Sequence, residues 1–277
     1  ELSGDTDTKL YMYYGNPSCG SQGYVEGTWD AGYRMVHHLN ESSGVHVDST
    51  SQGNDGVYSG VLQDTVGVID GADGFDGSDD YVLIQDQGDA DLLGGFSAAT
   101  VSGWIYLDEG SARRYVLHDT WEGMSTRLRV EVQADDTLIV GVRDMASGVQ
   151  QTQTTTAVLP EETWLYICVV VDIAGDNVDI FVNGVEVASS GTIEFTSSDF
   201  DADDTMNTVV GACGDYLGDS LGPFSFKGMV DEIRVSTRLR NASWILTKYY
   251  NQVDPESFFA VGVEEVLPSG DTIPPEI

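Results

Sequence analysis

The chain has 277 residues, 41% hydrophobic and 10% aromatic, which excludes a wholly disordered polypeptide, and its 32 glycines point to many turns rather than long helices. Twelve basic residues against 46 acidic ones give a formal charge of −34, which disfavours nucleic acid and anionic membrane as partners, because phosphate binding needs the opposite sign. No run of about 18 apolar residues occurs, and no segment reads as a membrane-inserted helix.

Residues 1–28 form a first segment, in which residues 9–14 alternate like a strand and then break at Gly15, Asn16 and Pro17. Its opening residues lack the basic-then-apolar pattern of a signal peptide, so the chain reads as a mature or excised piece. A lone strand must dock on the body of the protein, pair with a neighbouring chain, or be the remnant of an upstream domain. Residues 29–253 then show short β runs separated by Gly, Asp and Asn clusters, the pattern of one antiparallel sandwich.

Early in this body, DSTSQGNDG (residues 48–56) joins Asp48, Asn54 and Asp55 to glycines and hydroxyls without one apolar side chain. A plain turn needs only two or three such residues, so a hard cation that takes carboxylate, amide and carbonyl oxygens is a candidate occupant. The runs at 81–86, 100–108 and 126–133 read as strands, and in the last of these Leu128, Val130 and Val132 alternate with Arg127, Arg129 and Glu131. DTLIVGVRD, TWLYICVVVD and NVDIFVNGVEVAS follow, the last turning at Asn183-Gly184, which fits a type I′ hairpin. In DFDADDTMN (199–207) Asp199, Asp201 and Asp203 imitate the start of an EF-hand loop. Asp204 stands where Gly is required and Val210 where the bidentate Glu belongs, so the loop is read as solvated. Residues 240–252 carry Ala242, Ile245, Leu246 and Tyr249 at helical spacing behind a cap at Asn241. Residues 254–277 read as an apolar β segment, FFAVGVEEVL, and a proline-bearing linker. No internal repeat is visible.

The extreme acidity requires either high external salt or bound divalent cations, and a salt-adapted surface is the plain alternative to specific ion binding. Three cysteines are too few for a disulfide scaffold and contain no Cys-x-x-Cys pair. The candidate for a single bridge is Cys168 with Cys213, both in β segments. Asn40 and Asn241 head Asn-x-Ser sequons that suit an exported glycoprotein, whereas Asn16 is excluded by Pro17.

Five stretches, taken in order across residues 31–252, resemble the laminin-G-like, concanavalin A-type jelly-roll modules of secreted and cell-surface proteins. They are AGYRMVHHLNESSGVHVDSTSQGNDGVYSG, GFDGSDDYVLI, ATVSGWIYLDEG, WLYICVVVDIAGDNVDIFVNGVEVA and FKGMVDEIRVSTRLRNASWILTKYYNQ. TKLYMYYGNPS, near the N-terminus, looks like the closing strand of an uncharacterised β domain that commonly precedes this module. The resemblance implies an all-β fold of two antiparallel sheets packed face to face, with Trp104, Ile180 and Val235 on the inner faces, Phe75 in the core and Asp79 and Asp80 at the surface. It also implies a structural Ca²⁺ where the early polar bend meets the last strand, with Asp48, Asn54, Asp55 and Asp231 as ligands.

Three functions are compatible with such a scaffold in general. Retaining glycosidases of this class carry a Glu-x-Asp-x-x-Glu triplet, which is absent, as are Gly-x-Ser-x-Gly and His-Glu-x-x-His, so no enzyme is expected. A carbohydrate-binding module needs aromatic faces beside hydroxyl partners, and Tyr115, His118, Trp121 and Tyr216 are the candidates. A structural reading, in which the module adheres to neighbouring modules or assembles a filament or surface layer through its flanking β segments, ranks first. Partners are then neighbouring protein modules or glycans, outside the cell.

Overall fold

The computed structural model describes residues 18, 20, 23–85, 91–110, 114–121, 125–144, 146–189, 193–202, 207–213, 224–258 and 260–263. In chain order the strands are β1 (Tyr33–His37), β2 (Val57–Ser59), β3 (Leu62–Val66), β4 (Gly71–Asp76), β5 (Tyr81–Gln85), β6 (Ala98–Leu107), β7 (Arg114–Trp121) and β8 (Ser125–Val132). β9 (Leu138–Asp144), β10 (Val149–Thr154), β11 (Trp164–Asp172), β12 (Asn177–Val182), β13 (Val185–Ser189), β14 (Asn207–Val210) and β15 (Lys227–Ser236) follow, then the helices α1 (Ala242–Val253) and α2 (Pro255–Phe258). Among the described residues these strands form two antiparallel sheets. One has eight strands, ordered β13-β12-β11-β6-β15-β4-β3 with β1 also on β15; the other has seven, ordered β10-β9-β8-β7-β14-β5-β2.

Alternation decides which side chains meet between the sheets. Leu128, Val130 and Val132 of β8 turn inward to a core that includes Phe75, Ile180 and Val235, while Arg127, Arg129 and Glu131 do not join it. The hairpin between β12 and β13 forms at Asn183 and Gly184, whose φ values of 52° and 77° are the left-handed pair that a type I′ turn demands. β15 is divided by a bulge between Asp231 and Arg234, where Glu232 takes φ 57°. Its first half pairs with β4 and its second with β1, so one strand ties the two ends of this sheet edge together.

A second apolar layer lies outside the eight-stranded sheet. α1 starts where Asn241 Oδ1 accepts from the Trp244 amide at 2.9 Å, and it lays Ile245 over Trp104, Tyr166, Cys168 and Phe181. Trp104 is therefore buried, but under the helix rather than between the sheets as expected. Its ring lies 5.3 Å from Tyr166 and 5.8 Å from Tyr249, and its Nε1 donates to Gln252 Oε1 at 3.1 Å.

Other expectations are corrected here. No disulfide joins Cys168 to Cys213: Cys168 sits in β11 under the helix, whereas Cys213 follows β14 in the opposite sheet. Instead of the expected β segment, residues 255–258 form a helical turn and residues 260–263 belong to no strand. Asp80 is buried rather than superficial, since its Oδ2 accepts from the Asp76 amide at 2.7 Å. The expected strand at 9–14 and the linker at 268–277 lie outside the described residues.

Candidate functional site

The outer face of the seven-stranded sheet gathers a polar group of side chains. A register shift in β7 between Tyr115 and Leu117 sends both Val116 and Leu117 into the core. It leaves Tyr115 and His118 together on the other side, with ring centroids 5.0 Å apart. Phe224 stands 6.1 Å beyond Tyr115. The register sets His118 opposite Arg129 and Tyr115 opposite Glu131, so the four side chains occupy one patch across β7 and β8.

Gly141 of β9 makes room for this patch. A Cβ there would lie 2.6 Å from Arg129 Nε and 3.0 Å from Gln150 Nε2, so only glycine lets the guanidinium lie flat across the sheet toward β10. Arg129 Nε is 3.7 Å from Glu131 Oε2, too long for a hydrogen bond, and Gln150 Nε2 has no partner. His118 is 1% exposed, its Nε2 lies 2.8 Å from Thr126 Oγ1, and its Nδ1 has no partner. Burial and then the charge of Arg129 depress the His118 pKa to about 3, so this imidazole is neutral at physiological pH. Burial and the Glu131 carboxylate raise the Tyr115 pKa to about 12, keeping its phenol protonated. The patch thus gathers a neutral imidazole, a phenol, a guanidinium, an amide and one carboxylate; the guanidinium and the amide are half-buried and the other three are buried beneath them.

Of the expected ligand-binding residues, the structure brings Tyr115 and His118 together on a strand rather than in a loop. Trp121 closes β7, and its side chain and the whole of Tyr216 lie outside the described residues. Nothing in the sequence marks Arg129, Glu131, Gly141 and Gln150 as one site beyond the alternation of Arg129 and Glu131 with core residues. Arg127, by contrast, is saturated: Nε donates to Asp119 at 2.6 Å, Nη1 and Nη2 to Asp91 at 2.8 and 2.6 Å, and Nη1 also to the Asp201 carbonyl at 2.7 Å. It ties the 199–202 stretch, with its buried Phe200, to the sheet.

The expected cation ligands are arranged differently. Asp48 Oδ1 accepts from the amides of Val36 (2.9 Å) and Thr50 (3.0 Å), and Oδ2 from the Thr50 hydroxyl (2.7 Å) and the Asn54 amide (3.0 Å). The Asp48 amide in turn donates to Asp55 Oδ1 at 2.8 Å, and Asn54 Nδ2 donates to the Arg34 carbonyl at 2.6 Å. Asp48, Asn54 and Asp55 therefore form one closed turn. Asp231 is not part of it, because its Oδ2 accepts from the amides of Val68 (2.7 Å) and Ile69 (2.9 Å). Burial, partly offset by those two bonds, raises the Asp231 pKa to about 6. The carboxylates of Asp48, Asp55 and Asp231 do not converge within 4.8 Å, and the four expected residues do not fit a single oxygen cage. Among the described residues those of Asp76, Asp79 and Asp80 do converge. Asn40 and Asn241 are both exposed; Asn40 Nδ2 donates to Asp70 Oδ2 at 3.1 Å and Asn241 caps α1.

Beside the Asp48 turn, His46 is fully buried between two carboxylates, with Nδ1 2.9 Å from Glu41 Oε2 and Nε2 3.0 Å from Asp73 Oδ2. Burial alone would lower its pKa, but the bonds to Asp73 and Glu41 raise it to about 9, and the imidazole is a cation. The triad anchors the 41–56 loop, whose ends meet in a bridge between His46 and Gly56.

Among the described residues, two packed sheets with a helix over one outer face and a polar patch on the other make up a β-sandwich. The chain belongs to the Laminin_G_3 family of the concanavalin A-like lectin/glucanases superfamily, whose profile matches residues 76–246, more than half of the chain. Among solved structures, the binding domain of Paraclostridial Mosquitocidal Protein 1 superposes with a TM-score of 0.61 at 14% identity, covering 79% of this chain and 52% of that one. The receptor binding domain of botulinum neurotoxin C/D mosaic serotype gives 0.60 at 10% identity, covering 80% and 51%, and the botulinum neurotoxin serotype G binding domain 0.59 at 12%, covering 79% and 51%. This chain thus spans about half the length of the domains it superposes on, and likeness at such identity shows the fold alone. No curated protein matches the chain in sequence.

Proposed function

We propose that this chain is a non-catalytic binding module of an extracellular surface protein, serving adhesion or surface assembly, and that it takes a glycan or a neighbouring module on the outer face of the seven-stranded sheet. The observation that carries this reading is the Arg129 and Gln150 pair laid over Gly141, with Gln150 Nε2 and the buried His118 Nδ1 still without partners. A buried polar atom left unbonded costs about 1–3 kcal/mol, which a ligand hydroxyl at that position would recover. Against turnover, His118 is held neutral well below physiological pH, and the patch has a single carboxylate where glycoside cleavage takes two. The partners of the superposed toxin domains enter only as analogy, since they are named as binding or receptor binding domains.

The test is binding of the full chain to immobilised glycans, with Gly141→Ala as the variant. The added methyl displaces Arg129 while leaving the core of Leu128, Val130 and Val140 untouched. Glycan binding lost in Gly141→Ala at an unchanged melting temperature supports the lectin form. Binding equal in both proteins would remove this face from the proposal.

A specific observation also favours assembly through protein contact. The edge strands β2 and β3 expose Val57, Leu62 and Val66, and among the described residues no further strand pairs with their outer edges. Concentration-dependent association abolished by Val66→Lys, measured by light scattering, would distinguish assembly from glycan binding.

A further inference from the structure

A second polar group lies on the opposite side of the sandwich, at the seam between α1, β15 and the segment 23–29 that precedes β1. Arg234 of β15 is 3% exposed, and of its guanidinium nitrogens only Nη2 has a partner, Glu232; Nε and Nη1 have none. Its Cζ stands 5.2 Å from the ring centroid of Trp29. Lys248, one turn along α1 from the cap-side Trp244, brings Nζ to 5.7 Å from the same ring. Two cations thus share one indole, which also packs against Tyr33 at 5.0 Å and His38 at 6.0 Å.

The charges here do not balance. Glu232 is shared between Arg234 and His38, whose Nδ1 lies 2.6 Å from Oε1, and Asp30 is shared between Arg238 at 3.2 Å and Arg240 at 2.7 Å. Asp231 directs Oδ2 at the turn at 68–69. Among the described residues Lys248 has no ion pair. In a chain with 46 acidic side chains, a half-buried lysine beside a buried arginine and, among the described residues, without a carboxylate is a costly arrangement.

We propose that the seam between α1 and β15, closed by Trp29, is a binding site for a single carboxylate, held by Lys248 Nζ and the open guanidinium nitrogens of Arg234. One negative charge completes the local balance, which selects a carboxylate over a doubly charged phosphate monoester. The group comes from a small organic acid or from a uronate residue of a glycan, and the two sources differ only in what the rest of the ligand touches. Burial and then the Arg234 charge depress the Lys248 pKa to about 7, so ligand entry also recharges this amine. The group that bears on it is Arg234 of β15, and the amine in turn bears on His38 after β1. Binding therefore takes up a proton near neutral pH, and affinity falls as pH rises above about 7.

The experiment titrates the full chain with sodium acetate, sodium glucuronate, methyl glucoside and sodium sulfate at fixed ionic strength, below and above neutral pH, following tryptophan fluorescence and calorimetry. The expected result is saturable binding of carboxylate, tighter on the acid side, weakened about tenfold or more in Lys248→Met. In Lys248→Arg the binding persists and its pH dependence disappears. Glucuronate binding well above acetate identifies a uronate as the source, and equal binding identifies a small acid. Saturation by sulfate but by neither carboxylate, no saturation by any anion, or a Lys248→Met protein that folds and binds as the parent does would overturn the proposal.

Discussion

Replacing Asp48 by alanine separates a closed turn from a cation cage. The carboxylate accepts four hydrogen bonds, from the Val36, Thr50 and Asn54 amides and the Thr50 hydroxyl, at a residue that is 6% exposed. Each charge-assisted bond contributes about 1.5–3 kcal/mol, but the four share one acceptor group and are not additive. The lasting cost is the two amides of Val36 and Asn54 left in a buried setting, about 1–3 kcal/mol each, so a loss of about 3–5 kcal/mol is expected. For a domain of this size that is a fall of about 10 °C in melting temperature. Asp48→Asn keeps one acceptor oxygen and should lose about half as much. The assay is thermal melting in millimolar Ca²⁺ and again in chelator, with parent and variants side by side. Equal losses in both media are expected, because the acceptances lie within the protein. A loss present in Ca²⁺ and absent in chelator would show that the carboxylate serves an ion and would refute the reasoning.

Asp231→Ala should likewise lower the melting temperature equally with and without Ca²⁺, since it uncaps the Val68 and Ile69 amides, and a Ca²⁺-specific loss measured by the same melts would contradict this. His46, raised from 6.5 to about 9, contributes stability that is complete below pH 6.5 and is lost as pH rises through about 9. That contribution is at most about 3 kcal/mol, because burial also raises the Asp73 pKa and its ionisation offsets part of the gain. Urea denaturation across pH should therefore show an alkaline decline in the parent that His46→Gln lacks, and the same decline in both would mean that the triad is uncharged. His118, lowered from 6.5 to about 3, acts on the other limb: its contribution is present above pH 6.5 and is lost as pH falls toward 3, so His118→Gln should flatten the acid decline. Peptide mapping without reductant should find Cys168 and Cys213 in separate peptides, and a cross-linked pair would show otherwise.

The sandwich was legible because period-two alternation reports burial directly: β8 reads its two faces as Leu128, Val130 and Val132 against Arg129 and Glu131. Asn183-Gly184 and the Asn241 cap were legible because each depends on local backbone chemistry alone. Trp104 was placed in the wrong layer because β6 is buried on both faces, and alternation carries no sign when a helix covers the outer one. The polar bend at 48–56 was recognised as oxygen-rich. Whether its oxygens face a cation or N–H groups depends on the amides of Val36 and Asn54, and backbone donors leave no trace in composition. Asp231 was misdirected by the bulge at Glu232, and Tyr115 and His118 share a face only through the shift at Val116; one inserted residue exchanges the two faces of a strand.

The few cations explain how the two faces of the molecule differ from the rest of its surface. Arg114, Arg127 and Arg234 are almost wholly buried, and the first two are matched by carboxylates of Glu161, Asp91 and Asp119, so they neutralise acid inside the fold and leave the exterior acidic. Arg129 and Lys248 depart from this rule. One faces out from the seven-stranded sheet with its nearest carboxylate at 3.7 Å, and the other closes against Trp29 beyond the eight-stranded sheet. At physiological ionic strength charges more than about 8 Å apart are largely screened, so the −34 charge opposes anion binding chiefly at low salt. Because the core of both sheets lies between the two positions, a ligand on one face makes no contact with a ligand on the other. The two proposed sites would then be occupied independently, and any gain from holding both would require that the two partners themselves be linked.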